Sequence, residues 1–175
     1  MRKMTGCLIG LLTLTIAGPA MAAGSASQEP FEFGKPYFGV KAGFIDINAP
    51  GADSAINIGG LVGAPLPNVM EGFAAEADLT TSITKANVGN TDYRFTELGG
   101  YAAYRHSFMK QLAFKVKAGV AYHTTSVSGG GSDSSFDPSL GVGLVINNQW
   151  EIEYTTYDAS PFNPDSNWLG VTYRF

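Results

Sequence analysis

The sequence LAFKVKAGVAYH, residues 112–123, decides the fold because its side chains alternate in character. One set of alternate positions is apolar and consists of Leu112, Phe114, Val116, Ala118, Val120 and Tyr122. The other set carries the charged, polar and glycine positions Lys115, Lys117, Gly119 and His123. A period of two belongs to a β-strand whose faces meet different surroundings. This stretch therefore predicts a strand with one apolar and one polar face.

The same alternation recurs in seven other stretches, at residues 37–44, 56–64, 73–80, 97–105, 139–146, 150–157 and 168–175. Leu61 and Tyr101 are exceptions, because each falls on the polar face of its stretch. No segment places apolar residues at helical spacing. The sequence therefore predicts an all-β chain of eight antiparallel strands.

The connections between these stretches alternate in length. The longer ones are residues 46–55, 81–93, 126–138 and 158–167, and the shorter ones are 65–71, 106–111 and 147–149. Outer-membrane barrels have long outer loops and short periplasmic turns. We therefore expect an up-and-down barrel with both termini on the periplasmic side, and we expect 126–138 to be a flexible, solvated loop.

An alternating strand fits either a soluble lipocalin-like barrel, apolar inside, or a transmembrane barrel, apolar outside. The glycines distinguish them, because they lie on the charged face, at Gly39, Gly43, Gly59, Gly63, Gly99, Gly119, Gly141, Gly143 and Gly170. A narrow interior filled by long charged side chains needs that space, whereas a solvated surface does not. The pattern favours a transmembrane barrel, with interfacial girdles at Phe73, Tyr104, Tyr122, Trp150, Tyr154 and Tyr173. A soluble periplasmic ligand-binding barrel remains the alternative.

The N-terminus has the three parts of a secretory signal peptide. Arg2 and Lys3 precede the uncharged run at residues 6–18, and Ala20 and Ala22 form an A-x-A cleavage pattern. We expect a signal peptide at residues 1–22, a periplasmic linker at 23–35 and the barrel at 36–175. Cleavage after Ala22 removes Cys7, the only cysteine, so the mature chain forms no disulfide.

The charge of the mature chain argues against a nucleic-acid partner. Without Arg2 and Lys3, the 11 basic residues become 9, against 15 acidic ones. The net charge is then about −6, whereas nucleic-acid binding needs a basic face.

Residues 126–138 lack the ligand spacing of a calcium loop. We predict no metal, no cofactor and a monomer.

The polar face of the strands predicts an ionic interior. By parity the lumen holds Lys41, Glu76, Asp78, Glu97, Arg105, Lys115, Lys117, Glu151, Glu153 and Arg174. The charges balance, as buried charges must if they are to be paired. Eight strands enclose a space that side chains nearly fill. The sequence therefore predicts a plugged lumen and no large pore, and a gated ion path is the alternative.

The last stretch, WLGVTYRF, resembles the C-terminal signature of Gram-negative outer-membrane proteins. Gly170, Tyr173 and Phe175 match that signature, whereas Trp168 stands where the family has a polar residue. With its signal peptide and eight strands, the chain resembles the outer-membrane β-barrel domain family, the small eight-stranded barrels of the OmpA, OmpX and Ail type.

The resemblance implies a Gram-negative outer-membrane protein whose last strand is read by the barrel assembly machinery. It also implies contact with outer-membrane lipid and lipopolysaccharide. Relatives of this size act in adhesion, envelope integrity and resistance to host defences, through loops that match no motif here. We therefore expect surface interaction or envelope integrity rather than catalysis.

A lipid-A-modifying enzyme is the rival class, because some barrels of this size carry such activity through a His with Ser and an acidic partner. Here His106 adjoins Ser107 at a predicted periplasmic turn, on the wrong side of the membrane. His123 with Ser126 and Asp158 is the conceivable lumenal site. We predict no catalytic residue, and the enzyme remains an alternative.

Overall fold

The computed structural model describes residues 34–47, 51–88, 91–157 and 166–175. The predicted signal peptide at 1–22 and all but the last two residues of the predicted linker at 23–35 lie outside this part of the chain. Within it, no helix is long and apolar enough to cross a bilayer.

Nine strands form one antiparallel sheet in the described residues. They are β1 (Tyr37–Ile47), β2 (Ala55–Pro65), β3 (Phe73–Ser82), β4 (Ala86–Val88), β5 (Thr91–Met109), β6 (Leu112–Val127), β7 (Ser132–Ile146), β8 (Trp150–Tyr157) and β9 (Ser166–Arg174). If the short β4 is left aside, each strand pairs with the next one along the chain, so that β3 pairs with β5, and β9 closes the sheet by pairing with β1. The sheet is a closed eight-stranded up-and-down barrel, as predicted, to which the short β4 is added.

The alternation of the sequence becomes the two faces of the barrel wall. On β6, Phe114 and Val120 are 42% and 58% exposed, whereas Lys115 and Lys117 are 1% and 3% exposed. Leu61 and Tyr101, the two exceptions on the polar face, are buried inside. Charged residues inside and apolar residues outside reverse the arrangement of a soluble protein. This contradicts the lipocalin-like alternative, whose apolar face points inward.

The two ends of the barrel differ. At the turn end, β2 and β3, β5 and β6, and β7 and β8 are joined by residues 66–72, 110–111 and 147–149. In the three-residue connection 147–149, Asn147 and Asn148 both have positive φ (53° and 59°), as the central residues of a type I′ turn do, and Gln149 N–H donates to the Ile146 carbonyl at 3.1 Å. The opposite end of the barrel carries the β4–β5 hairpin and the β6–β7 connection. We call it the hairpin end.

The strands at the hairpin end are longer than predicted. The expected loop at 126–138 is mostly ladder, because β6 and β7 stay paired to Ser126 and Ser132 and only residues 128–131 connect them. Much of 81–93 is likewise the β4–β5 hairpin. The outward residues of β5, β6 and β7 here are polar, mainly serine and threonine with Arg94 on β5, so the apolar alternation ends although the hydrogen-bonded ladder continues. The apolar alternation therefore predicted the extent of the apolar band and not the full length of the strands.

Aromatic residues border the apolar band at both ends. Phe73 and Tyr104 pack at 6.4 Å between ring centroids, and Trp150 and Tyr173 at 4.9 Å, at the turn end. Towards the hairpin end, Tyr122 packs on Phe136 at 4.8 Å. Tyr154 also lies there, and its hydroxyl donates to Asn167 at 2.9 Å. The two groups have the arrangement of interfacial girdles.

Candidate functional site: the barrel interior

The ten charged residues assigned to the lumen from the sequence all lie on the inner face of the barrel wall. They come from six strands, and each is between 0% and 6% exposed. Five are basic and five are acidic, so their formal charges cancel. Nine of them form two connected clusters at different heights, and Glu97 lies apart from both.

The turn-end cluster is built around Glu76, on β3. Arg105 and Lys115 each lie 2.6 Å from its carboxylate, and Arg174 lies 3.7 Å away. Tyr37 donates its hydroxyl to Glu76 at 2.5 Å. The guanidinium groups of Arg105 and Arg174 lie 4.0 and 4.5 Å from the centre of the Tyr37 ring. The ring thus contacts two like charges and stabilises both through cation–π contacts.

The second cluster lies nearer the hairpin end and joins Lys41, Asp78, Lys117 and Glu153. Lys41 and Lys117 contact Asp78 at 2.5 and 3.2 Å. The same two ammonium groups contact Glu153 at 3.4 and 2.8 Å. Each of these two cations therefore has two carboxylate partners, and both carboxylates contact both cations.

Lys115 links the clusters. Its Nζ lies 2.6 Å from Glu76, 2.6 Å from Glu151 and 2.8 Å from Glu153, and Glu151 is in turn paired with Arg174. Moving an unpaired ion out of water costs several kcal/mol, so a buried charge is stable only when its partners are complete. One ammonium with three carboxylates makes the network depend on Lys115.

Glu97 is different, since none of the ion pairs of the described residues includes it. Its carboxylate accepts hydrogen bonds from Tyr101 at 3.0 Å and Thr80 at 3.5 Å. A further buried carboxylate, Asp137, was missed in the sequence because the segment around it read as a loop. Asp137 accepts a hydrogen bond from Ser135 at 2.6 Å. Its place in the strict alternation of β7 is the signal that could have found it.

The lumenal glycines provide the space that these side chains occupy. A Cβ at Gly63 would overlap the ring of Tyr37, and one at Gly99 would overlap that of Tyr101. A Cβ at Gly141 would lie 2.7 Å from Lys117 Cε. Large side chains thus lie flat over neighbouring glycines, which explains why glycine concentrates on the charged face.

An apolar layer covers the ionic clusters at the hairpin end. Ile45, Phe95, Tyr157 and Trp168 are its large members, and each is at most 6% exposed. Trp168 lies over Lys41, with the ammonium 4.3 Å from the ring centre. This contact accounts for Trp168 at a position where the resemblance led us to expect a polar residue. The interior is therefore ionic in the middle of the barrel and mainly apolar at the hairpin end.

The hypothetical catalytic set is not assembled as proposed. His123 points inward and packs edge-on against Tyr157 at 4.6 Å, whereas Ser126 is exposed on the outer face of the same strand. An odd separation along a strand puts two side chains on opposite faces, so this pairing was wrong. Asp158 lies outside the described residues.

The other candidate pair, His106 and Ser107, is also divided between the two faces. His106 is exposed and stacks on Tyr104, and Ser107 donates to the Met109 carbonyl at 2.9 Å, where β5 bulges. Among the residues that the structure describes, no three His, Cys, Asp or Glu side chains form a group able to hold a metal ion.

The C-terminal residues close the barrel at its seam. Gly170 pairs with Gly43 of β1, and Tyr173 lies outside between Trp150 and Phe175. Phe175 is 74% exposed, and its backbone N–H donates to the Phe38 carbonyl at 2.9 Å. The side chains of Tyr173 and Phe175 thus lie on the outer surface at the turn end, whereas Trp168 of the same strand lies inside.

An apolar exterior around a charged interior defines a transmembrane β-barrel. The chain belongs to the outer membrane protein β-barrel domain family, whose model matches residues 10–175. Membership assigns it to the outer membrane. No curated protein sequence matches the chain.

One of the similar solved structures, the first described here, supports the fold. Neisserial surface protein A is similar with a TM-score of 0.59 at 14% identity, over 79% of this chain and 94% of that one. The N-terminal barrel domain of OprF from Pseudomonas aeruginosa has a TM-score of 0.49 at 16% identity, over 79% and 97%. Ail, the attachment invasion locus protein of Yersinia pestis, has a TM-score of 0.49 at 14% identity, over 80% and 96%.

Proposed function

We propose that this protein is a closed surface barrel of the outer membrane, which blocks its own lumen and presents the hairpin end outside the cell. The role of the protein is then surface interaction or envelope integrity, and the protein is neither a general porin nor an enzyme. The observation that carries the proposal is the three-carboxylate contact of Lys115, in the middle of the lumen.

The ionic network supports a plug rather than an ion path. A conducting path needs groups that bind an ion weakly enough to release it. Here the carboxylates of Glu76, Asp78, Glu151 and Glu153 are already neutralised by fixed ammonium and guanidinium groups. An entering cation would have to displace a covalently attached one, so the network resists permeation.

The apolar layer is a second obstacle above the first. At the hairpin end, Ile45, Phe95, Tyr157 and Trp168 narrow the lumen before the two ionic clusters are reached. Apolar constrictions exclude ions by dewetting. Two obstacles of different chemistry in series favour a lumen closed in the resting protein.

The long strands β5, β6 and β7 support a surface role. Beyond the apolar band, their outward residues are mainly hydroxyl-bearing, namely Thr96, Thr124, Ser126, Ser132 and Ser134, and β5 adds the exposed Arg94. A hydrogen-bonded platform holds its side chains in place better than a flexible loop, which lowers the entropic cost of binding. The cleaved signal peptide, recognition of the last strand by the barrel assembly machinery and the monomeric state are parts of the same proposal.

Planar-bilayer recording tests the closed lumen. We expect the folded protein, identified by heat-modifiable migration on a gel, to give no large steady conductance. The charge-neutral double variant Lys115→Ala with Glu153→Ala should conduct more, because it opens space without unbalancing the interior. Val142→Ala, on the outer face, is the matched control. A large steady pore in the unmodified protein would refute the plug.

A further inference from the structure

We infer that Glu97, in the lumen of the barrel, is a proton-binding site. Its carboxyl group holds a proton at neutral pH, and release of that proton in alkaline solution opens the lumen. Glu97 is 1% exposed and follows Phe95 of the apolar layer as the next inward residue of β5 towards the turn end. The presence of the proton is independent of the proposed function, whereas the opening rests on the proposed plug.

The buried charges of the described lumen do not cancel once Asp137 is counted. The two ionic clusters contain five cations and four carboxylates, so together they carry one positive charge in excess. Glu97 and Asp137 add two buried carboxyl groups, and neither forms an ion pair with another residue that the structure describes. One negative charge is therefore left without a partner. Because burying an unpaired ion is costly, we expect one group of the lumen to hold an additional proton.

His123 is not suited to hold that proton. It is the register partner of Glu97, and the Asp137 carboxylate on the adjacent strand β7 is the charge that acts on it most strongly. However, its Nε2 is buried and has no hydrogen-bond partner in the described part of the chain. An imidazolium has two N–H donors, so protonation would leave a charged donor unpaired, whereas a neutral imidazole has only one donor. The additional proton therefore belongs on a carboxyl group.

The hydrogen-bond partners of Glu97 suit a carboxylic acid. The hydroxyls of Tyr101 and Thr80 lie 3.0 and 3.5 Å from its oxygens, and the Tyr157 hydroxyl is a further hydrogen-bond partner. Each of these hydroxyls can accept a hydrogen bond as well as donate one. A protonated Glu97 can therefore donate its own proton to one hydroxyl and still accept from the others.

The charges that face Glu97 also favour the acid. The Asp78 carboxylate on β3 acts on Glu97 more strongly than the ammonium group of Lys41 on β1 or of Lys117 on β6. Both ammonium groups are already paired with Asp78 and Glu153. In a buried position beside a like charge, a carboxyl group is more stable with its proton than without it. Glu97 is therefore the member of the unpaired carboxyl groups to which we assign the proton.

Release of the proton would place an unpaired carboxylate against the apolar layer. Such a charge is stable only when water or a counter-ion reaches it. Water that hydrates Glu97 from the hairpin end has to separate the side chains of Phe95, Tyr157 and Trp168, which lie in that layer. The proton therefore keeps the layer closed at neutral pH, and its loss admits water and ions.

Infrared spectroscopy of the folded barrel in detergent tests the proton itself. We expect the C=O stretching band of a protonated carboxylic acid at neutral pH, and Glu97→Gln should lack this band. Glu71→Gln, which changes an exposed glutamate of the β2–β3 turn, is the matched control and should keep it. Absence of the band from the unmodified protein would overturn the assignment. Loss of the band in Asp137→Asn, with its retention in Glu97→Gln, would overturn it too.

Urea unfolding of two amide variants gives a second reading. Glu97→Gln replaces a neutral acid by a neutral group of the same shape, so the unfolding midpoint at neutral pH should stay that of the unmodified protein. Glu153→Gln takes an ionised carboxylate away from the ammonium groups of Lys41, Lys115 and Lys117, and the midpoint should fall. An equal fall in both variants would show that Glu97 is ionised and would refute the inference.

Planar-bilayer recording at neutral and alkaline pH relates the proton to the lumen. The conductance of the unmodified protein should rise severalfold in alkaline solution, whereas Glu97→Gln, which has no proton to release, should stay closed at both pH values. A conductance that does not depend on pH would refute the opening. A lumen that is closed at neutral pH in a protein without the acid band would refute this inference and leave the plug intact. A large pore at neutral pH would instead refute the plug.

Discussion

Lys115 on β6 and Glu153 on β8 form an ion pair at 2.8 Å although another strand lies between them. The residue between them is Gly143 of β7, which is the register partner of both. Because Gly143 has no side chain, the two long side chains meet directly above its backbone. One glycine thus makes a pair possible between strands that share no hydrogen bond.

Removing Lys115 should destabilise the barrel strongly. Lys115→Met leaves Glu76, Glu151 and Glu153 without their shared cation, and breaking such a buried network costs about 3 to 5 kcal/mol. Urea unfolding of the detergent-folded protein, followed by tryptophan fluorescence, measures the loss. Lys110→Met, at an exposed turn, is the control and should stay within about 0.5 kcal/mol. Equal stability of the two variants would contradict the shared network.

Glycines on the two faces of the wall should differ in their tolerance of a side chain. Gly143→Val should impair folding, because its Cβ would lie 2.8 Å from the Ile152 carbonyl oxygen and 3.5 Å from Glu153 Cβ. Gly100→Val should fold normally, since nothing lies within 4 Å of its added Cβ. The yield of heat-modifiable protein compares them. Similar yields would show that the lumenal space is not needed.

The apolar band should end between Phe136 and Ser134 on β7. An arginine on the lipid face near the midplane costs about 2 to 4 kcal/mol, and near the interface about 0 to 1. Val142→Arg should therefore destabilise the barrel in lipid vesicles far more than Ser134→Arg on the same strand and face. Equal costs, measured by urea titration, would place the membrane boundary elsewhere.

The last strand should matter for assembly beyond its contribution to stability. Changing Tyr173 and Phe175 to Ser should slow insertion by the barrel assembly machinery in proteoliposomes more than Leu169→Ser, an exposed change on the same face of β9. The rates of spontaneous folding in detergent should differ much less between these variants. If the barrel assembly machinery inserts the double variant as fast as Leu169→Ser, Gly170, Tyr173 and Phe175 do not act as an assembly signal.

The orientation of the barrel in the membrane can be determined by labelling single introduced cysteines, because the mature chain is predicted to contain no cysteine of its own. Ser132→Cys at the hairpin end should react with a membrane-impermeant maleimide on intact Gram-negative cells. Gln149→Cys at the turn end should react only after the outer membrane is opened. The reverse pattern would invert the barrel and remove the basis of the proposed surface role.

The sequence by itself determined the period of two, the two faces of each strand, and hence the closed barrel with a charged interior. Those features are local, since a side chain's face follows from its parity along the strand. Only the tertiary structure decided that Lys115 meets Glu153 across Gly143, that Trp168 covers Lys41, and that β5 to β7 continue beyond the apolar band. Such contacts depend on register and on the curvature of the closed wall, which bring together residues far apart in the chain and leave no periodic trace in it.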